Sequence, residues 1–223
     1  MLSESAQYRR ALAASRRQTE AARQEAATLA AQVARLTQEL ARLSRLEARA
    51  RRLAYRDELT GLPNRRVLLD RLRQAIAQST RHGRFVALLM LDVDGFKNVN
   101  DRLGHTIGDA LLQAVADRLV NCVRAGDTVC RYGGDEFVVL LPDIVDRGAA
   151  LAAERNIRVA LAAPYDVDGA RITEKASIGA AVFPADGRTS RDLIAHADAA
   201  MYQDKTGRQT RETSRAVAKK LRA

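Results

Sequence analysis

The first 56 residues contain neither Gly nor Pro and are rich in Ala, Arg, Gln, Glu and Leu, all good helix formers. A stretch this long without a breaker has one regular solution, a continuous helix. Apolar residues fall at Leu12, Ala22, Ala26, Leu29, Val33, Leu36, Leu40 and Leu43, and from Ala22 the steps alternate between four and three. That narrow stripe is a coiled-coil seam. It is weaker at the start, where Ser5, Ser15 and Thr19 take core positions. After Leu43 come Leu46, Ala50 and Leu53, so one step of three replaces a four, a stammer that overwinds a supercoil locally. Two fates are open: the helix packs alone on the rest of the chain, or it pairs with a second copy. A parallel homodimer is the expectation, because so narrow a stripe on so long a helix has little else to bury against.

The net charge of +10 points first to nucleic acid, but its distribution argues otherwise. Residues 1–56 carry +7, residues 57–204 carry −3 and residues 205–223 carry +6. A nucleic-acid domain presents a basic groove through its fold, whereas here the basic residues form two arms, read as solvated helix faces. No specific nucleic-acid partner is expected. No apolar run reaches the roughly 18 residues of a membrane span, and the charged N-terminus is no signal peptide. Cys122 and Cys130 sit in no CxxC pair and near no His at ligand spacing. They read as reduced thiols, and the protein as cytoplasmic.

The compact domain is expected from Asp57 to Arg208, followed by a basic tail, 209–223. Gly61 and Pro63 break the first helix, and Asn64 offers an N-cap for a second carrying Val67, Leu68, Leu72 and Ile76. His82-Gly83 ends it. Val86 to Leu91 is a continuous apolar run of strand length, expected to be buried on both faces. Further helices follow around Gly104 and Gly108. Val129 to Leu141 reads as a β-hairpin turning at Tyr132-Gly133-Gly134-Asp135. After another helix over 146–162, Asp168-Gly169 marks a hairpin turn between Tyr165–Val167 and a strand over Ile172–Val182. Thr189 or Ser190 caps a last helix. Beyond Gln209 the pattern is poor, with helix again near Val217. The order predicts an α+β fold, a ferredoxin-like antiparallel sheet with helices on one face, preceded by the coiled-coil helix.

Two places carry chemistry. The apolar strand ends in Asp92, and Asp94 follows two residues on. Carboxylates at a strand end either lie in a plain acidic turn or face a cleft and hold a hard cation. The Gly133-Gly134 turn lets the backbone approach a ligand closely and is followed by Asp135 and Glu136. If the hairpin pairs beside the apolar strand, Asp135 comes to Asp92 and the two share a metal.

Five stretches together resemble the GGDEF family of diguanylate cyclases: Arg56-Asp57-Glu58-Leu59-Thr60-Gly61-Leu62-Pro63-Asn64, Asp92 to Asp101, Gly104 to Asp109, Arg131 to Phe137, and Ser177-Ile178-Gly179. The family's fold is nucleotidyl-cyclase-like, related to polymerase palms. The resemblance implies joining of two GTP into cyclic di-GMP with Mg2+ or Mn2+. It implies Asp92, Asp135 and the Val93 carbonyl as metal ligands, with Asp94 a supporting charge. Asp135 also helps deprotonate the 3′-hydroxyl, Lys97 stabilises phosphate charge, and Glu136 lies near the metal or phosphates. Asn100, His105 and Asp109 bind the nucleotide. A carboxylate at Asp109 would accept both guanine N1–H and the 2-amino group, a donor pair that adenine lacks. Arg124 and Asp127 match the family's RxxD product-inhibition site, with Arg155 assisting. One departure stands out. The family has two residues between the last helix's Lys and a Gly-Arg pair, whereas Lys205 is separated from Gly207-Arg208 by Thr206 alone. Lys205 remains a candidate phosphate ligand, and the usual closing strand is missing from the tail.

Overall fold

The computed structural model describes residues 2–220, with side chains for 7–10, 12–50, 53–208 and 210, so the side chains of Ser5 in the seam and of Val217 lie outside it. Two units form, Met1–Arg52 and Leu53–Ala223. The first is part of α1, an unbroken helix over Leu2–Tyr55. Leu29, Val33, Leu36, Leu40, Leu43 and Leu46 are each 52–66% exposed, a continuous apolar edge along the helix. Among the described residues no helix is long and apolar enough to cross a membrane.

In the second unit α2 (Arg65–His82) begins where the Asn64 side chain accepts from the amides of Arg66 and Val67. It ends at Gly83, left-handed at φ 64°. Then follow β1 (Phe85–Val93), α3 (Phe96–Leu103), α4 (His105–Asn121), β2 (Thr128–Gly133), β3 (Glu136–Ile144), α5 (Arg147–Leu161), β4 (Tyr165–Val167), β5 (Ala170–Ile172), β6 (Ala176–Phe183) and α6 (Ser190–Lys220).

The main sheet has the order β2-β3-β1-β6, antiparallel throughout. β1 lies inside it and is buried from Val86 to Val93. Its residues alternate between two cores. Ala87, Leu89, Leu91 and Val93 meet Val99 of α3, Leu111 and Leu112 of α4 and Ile157 of α5. Val86, Leu88 and Met90 meet Leu68 and Leu72 of α2 and Leu193, Ala197 and Met201 of α6. The sheet is therefore covered on both faces, not on the one that element order suggested, and this is why β1 shows no apolar–polar alternation.

The run over Ile172–Val182 also differs from expectation. Asp168 (φ 46°) and Gly169 (φ 79°) close a tight hairpin, and β4 and β5 pair only with each other. Thr173-Glu174-Lys175 separates that ribbon from β6. At the other end, α6 continues through Gly207 to Lys220, past the point where patterning fails, and among the described residues no strand follows β6. β6 is thus a sheet edge, and carboxylates blunt it. The Ile178 amide donates to Asp204 (3.0 Å) and the Val182 amide to Asp186 (2.8 Å).

Candidate active site

The strand pairing gathers acids at one end of the sheet. Asp92 of β1 stands opposite Glu136 of β3, and the Val93 amide donates to the Asp135 carbonyl at 3.3 Å. The hairpin thus lies beside the apolar strand, with Glu136 facing Asp92 and Asp135 one step beyond at the turn. On the other flank Ser177 of β6 is level with Asp92, and its hydroxyl donates to Asp94 Oδ1 at 2.6 Å. Lys205 reaches in from α6, its Nζ 2.7 Å from Asp92 Oδ1.

The electrostatics fit a crowd of anions short of positive charge. Burial, and the charge of Asp135 with it, push the Asp92 carboxyl above its usual value despite the Lys205 hydrogen bond. Burial raises Asp94 against its Ser177 bond. Burial and then the charges of Asp92, Asp135 and Asp198 raise Glu136. For Lys205 burial acts downward, but the Asp92 bond and the neighbouring carboxylates outweigh it and hold the ammonium above its usual value.

The hairpin turn is braced by a residue to which the sequence reading gave no role. Arg131 donates from Nε and Nη2 to the Gly134 carbonyl, at 2.9 and 2.7 Å. Its Nη1 donates to both oxygens of Asp57, at 3.0 and 3.2 Å. Thr60 donates to Asp57 from its amide (2.9 Å) and hydroxyl (2.7 Å). Burial alone would raise the Asp57 carboxyl, but the Thr60 and Arg131 bonds carry it below the usual range. Both residues lie in stretches legible as motifs. Only the fold joins them.

A second set of candidates lines α3 and α4. α3 starts at Gly95 (φ 74°) with no side-chain cap, so its first amides have no side-chain partner there. Asn100 Oδ1 is buried and has no hydrogen-bond partner among the described residues. Gly108 of α4 packs on it, and a Cβ there would overlap Oδ1 and lie 2.9 Å from Asn100 Cγ. Asp109, next in the chain, is exposed, as are Lys97 and His105 in the first turns of α3 and α4. Among the described residues neither Lys97 nor His105 hydrogen-bonds the acid cluster. A groove of about 850 Å3 runs elsewhere, between α2 and α6, and of the cluster only Glu136 lines it.

Arg124 and Asp127 are paired: Nε to Oδ1 is 3.0 Å, the Arg124 amide donates to Oδ2 at 3.1 Å, and Nη2 donates to the Pro142 carbonyl at 2.7 Å. A cleft of about 290 Å3 beside them is also lined by Arg56 and Arg71. Arg155 is exposed on α5 and is not part of that lining. Cys130 is buried, which pushes its thiol up to about 12, and Cys122 is half-buried; both are free.

The family model described as "Diguanylate cyclase, GGDEF domain" matches residues 54–211. The chain belongs to the GGDEF family. Among curated relatives it is 48% identical over 152 residues to MucR of Pseudomonas aeruginosa, named a bifunctional diguanylate cyclase/cyclic di-GMP phosphodiesterase, covering 68% of this chain and 22% of MucR. It is 40% identical over 150 residues to the diguanylate cyclase TpbB of the same species, covering 67% of this chain and 34% of TpbB. The chain spans about a fifth to a third of the length of these relatives. Among solved structures, the coiled coil and GGDEF domain of DgcB from Caulobacter crescentus, in complex with c-di-GMP, matches with TM-score 0.69 at 30% identity, covering 80% of this chain and 95% of that one. In this GGDEF domain the signature therefore stands at a sheet end where four carboxylates and one ammonium converge.

Proposed function

We propose that this chain is a diguanylate cyclase that joins two GTP into cyclic di-GMP and two pyrophosphates, working in the cytoplasm as a dimer held through α1. The observation that carries the reading is the placement of Asp92 on β1 opposite Glu136 on β3, with Asp135 beside them in the turn and Lys205 offsetting Asp92. Support also comes from Asn100, whose orphaned Oδ1 is an acceptor suited to a base that presents N–H donors. Asp109 and His105 complete the nucleotide side.

The donor set suits Mg2+ or Mn2+. Asp92, Asp135 and the Val93 carbonyl offer hard oxygens. Mg2+ commonly binds through one or two carboxylates and keeps places for water and phosphate oxygens. When bound, it would polarise the α-phosphate and offset its charge. Lys97 and Lys205 hold the phosphates. The 3′-hydroxyl of one GTP attacks the α-phosphorus of the other, the bond to the bridging oxygen breaks, and pyrophosphate leaves. Asp135 accepts the hydroxyl proton. A second such step closes the ring.

Each domain holds one GTP, so two must meet, and positioning them supplies much of the rate. The exposed leucine edge of α1 supports a coiled-coil dimer that raises the local concentration of the partner half-site. The Arg124–Asp127 pair, with Arg155, is proposed as a product site that limits turnover, arginine forks being suited to phosphate and guanine. The direct experiment is incubation with GTP and Mg2+. Cyclic di-GMP should form, and Asp135→Ala should form none. A folded, dimeric wild type that yields no product overturns the reading.

A further inference from the structure

We propose that Asp204 is a positioning residue: it locks the turn of α6 that carries Lys205 onto the edge of β6 and so fixes the ammonium beside Asp92. The inference rests on the cyclase reading for the role of Lys205, but its geometry stands apart from it.

The Asp204 carboxylate accepts from three elements. The Ile178 amide of β6 donates at 3.0 Å, Arg158 Nη1 of α5 at 2.8 Å, and Arg208 Nε, one turn further along α6, at 3.1 Å. Arg158 is itself oriented by Glu154 at 2.7 Å, and its Nη2 approaches the Ile178 carbonyl at 3.5 Å. Both backbone groups of Ile178 on the open edge are thereby met. These side chains are only 20–29% exposed, so their charge-assisted bonds are better sheltered than those of a surface pair.

α5 covers one face of the sheet and α6 the other. The Arg158–Asp204 bridge ties the two layers around the edge of β6. One turn earlier, α6 lies against Gly179 so closely that a Cβ there would overlap the Met201 amide nitrogen and the Ala197 carbonyl. Gly179 thus sets how near α6 comes, and Asp204 sets how far it turns. Lys205 is the next residue, and its long flexible stem meets Asp92 from a fixed root. The shortened step to Arg208 places that arginine four residues after Asp204, on the same helix face. Arg208 is accordingly part of this clamp.

The fold contains its own comparison. Asp186 clamps the same edge at the other end of β6, accepting from the Val182 amide at 2.8 Å and from Arg147 of α5 at 3.0 Å. Val182 is level with Ala87, far along β1 from Asp92. Asp186 does for the edge what Asp204 does, without a lysine beside it.

The test compares Asp204→Ala with Asp186→Ala, each alone and combined with Lys205→Ala, in the full chain. Melting temperature, KM and kcat with GTP and Mg2+, and GTP affinity by calorimetry are read for each. Both clamp variants should melt earlier. Only Asp204→Ala should weaken GTP, by about tenfold as for a lost phosphate contact. That weakening should vanish in the Lys205→Ala background. If Asp204→Ala does not fold, Arg158→Gln, which removes one donor, is read the same way. Unchanged GTP affinity in the Asp204 variant, an equal loss in the Asp186 variant, or a full loss that persists without Lys205 overturns the proposal. A wild type that binds GTP but makes no cyclic di-GMP defeats the cyclase reading alone, and the affinities still decide Asp204.

Discussion

Replacing Gly108 by Ala should separate nucleotide binding from stability. Gly108 is buried in α4 and has an ordinary helical backbone, so Ala carries no conformational penalty and gains up to about 1 kcal/mol of helix propensity. The new methyl overlaps Asn100 Oδ1, stands 2.9 Å from its Cγ and 3.3 Å from Phe96 Cε2. What it strikes hardest is the tip of a side chain with two rotatable bonds, so Asn100 swings aside at a cost of roughly 0.5–1.5 kcal/mol. The two terms nearly cancel, and the melting temperature should stay within about 4 °C of wild type, since 1 kcal/mol is worth roughly 2–4 °C at this chain length. Binding should not survive so well. A buried acceptor that loses its base donor costs about 1–3 kcal/mol, which corresponds to roughly five- to more than a hundredfold in affinity for GTP. Calorimetric titration with GTP and Mg2+ alongside a thermal melt reads both quantities. ITP, which lacks the 2-amino group, is the informative second ligand: the gap between GTP and ITP should narrow in the variant. An intact melt with unchanged GTP affinity would refute the assignment of Asn100 to the base, and a fall beyond about 4 °C would refute the claim that Asn100 can yield.

The remaining expectations concern the coil, the turn, the product site and pH. Leu36→Asp with Leu40→Asp places charges in the exposed apolar edge of α1 and should leave a monomer by light scattering, with synthesis recovering only as protein concentration is raised. Arg131→Met removes the brace on the Gly134 carbonyl and leaves Asp57 without its cation; a loss of about 1–3 kcal/mol in denaturant unfolding and a fall in kcat are expected. Arg124→Ala should relieve inhibition by added cyclic di-GMP, and unaltered inhibition would reject the site. The Asp186 carboxyl sits below its usual value because the Val182 amide and Arg147 outweigh the upward pull of burial. A carboxyl depressed in the folded state stabilises fully above the unfolded value and ceases to as pH falls through the folded one. The gap in melting temperature between wild type and Asp186→Asn should therefore be full near neutrality and close below about pH 4.

What the sequence disclosed follows the range of the interactions involved. The helix over Leu2–Tyr55, the Asn64 cap, the Gly83 stop and the hairpin at Gly133-Gly134 are set by neighbours a few residues apart, and all were legible. The hairpin beside the apolar strand was legible only as a condition, and the pairing sets Glu136 opposite Asp92 with Asp135 one step beyond. The two-sided core was half legible: the unalternating run in β1 implied burial on both faces, while element order alone left the helices on one. Three features stayed hidden because they join residues far apart in the chain. Arg131 and Asp57 lie 74 residues apart, Lys205 and Asp92 113, and Arg158 and Asp204 46. Each is an ordinary charged residue until the sheet brings it to a partner. The tail shows the same limit from the other side. Counting residues after Lys205 revealed a shortened step but not its consequence. With one residue fewer, Arg208 falls a single helical turn beyond Asp204, Gly207 is absorbed into the helix, and α6 runs on where the family turns back into a strand. β6 is left at the edge of the sheet, where Asp204 and Asp186 accept from its amides. The departure that most weakened the analogy at the sequence level thus has a structural counterpart, and it leaves Lys205 in place.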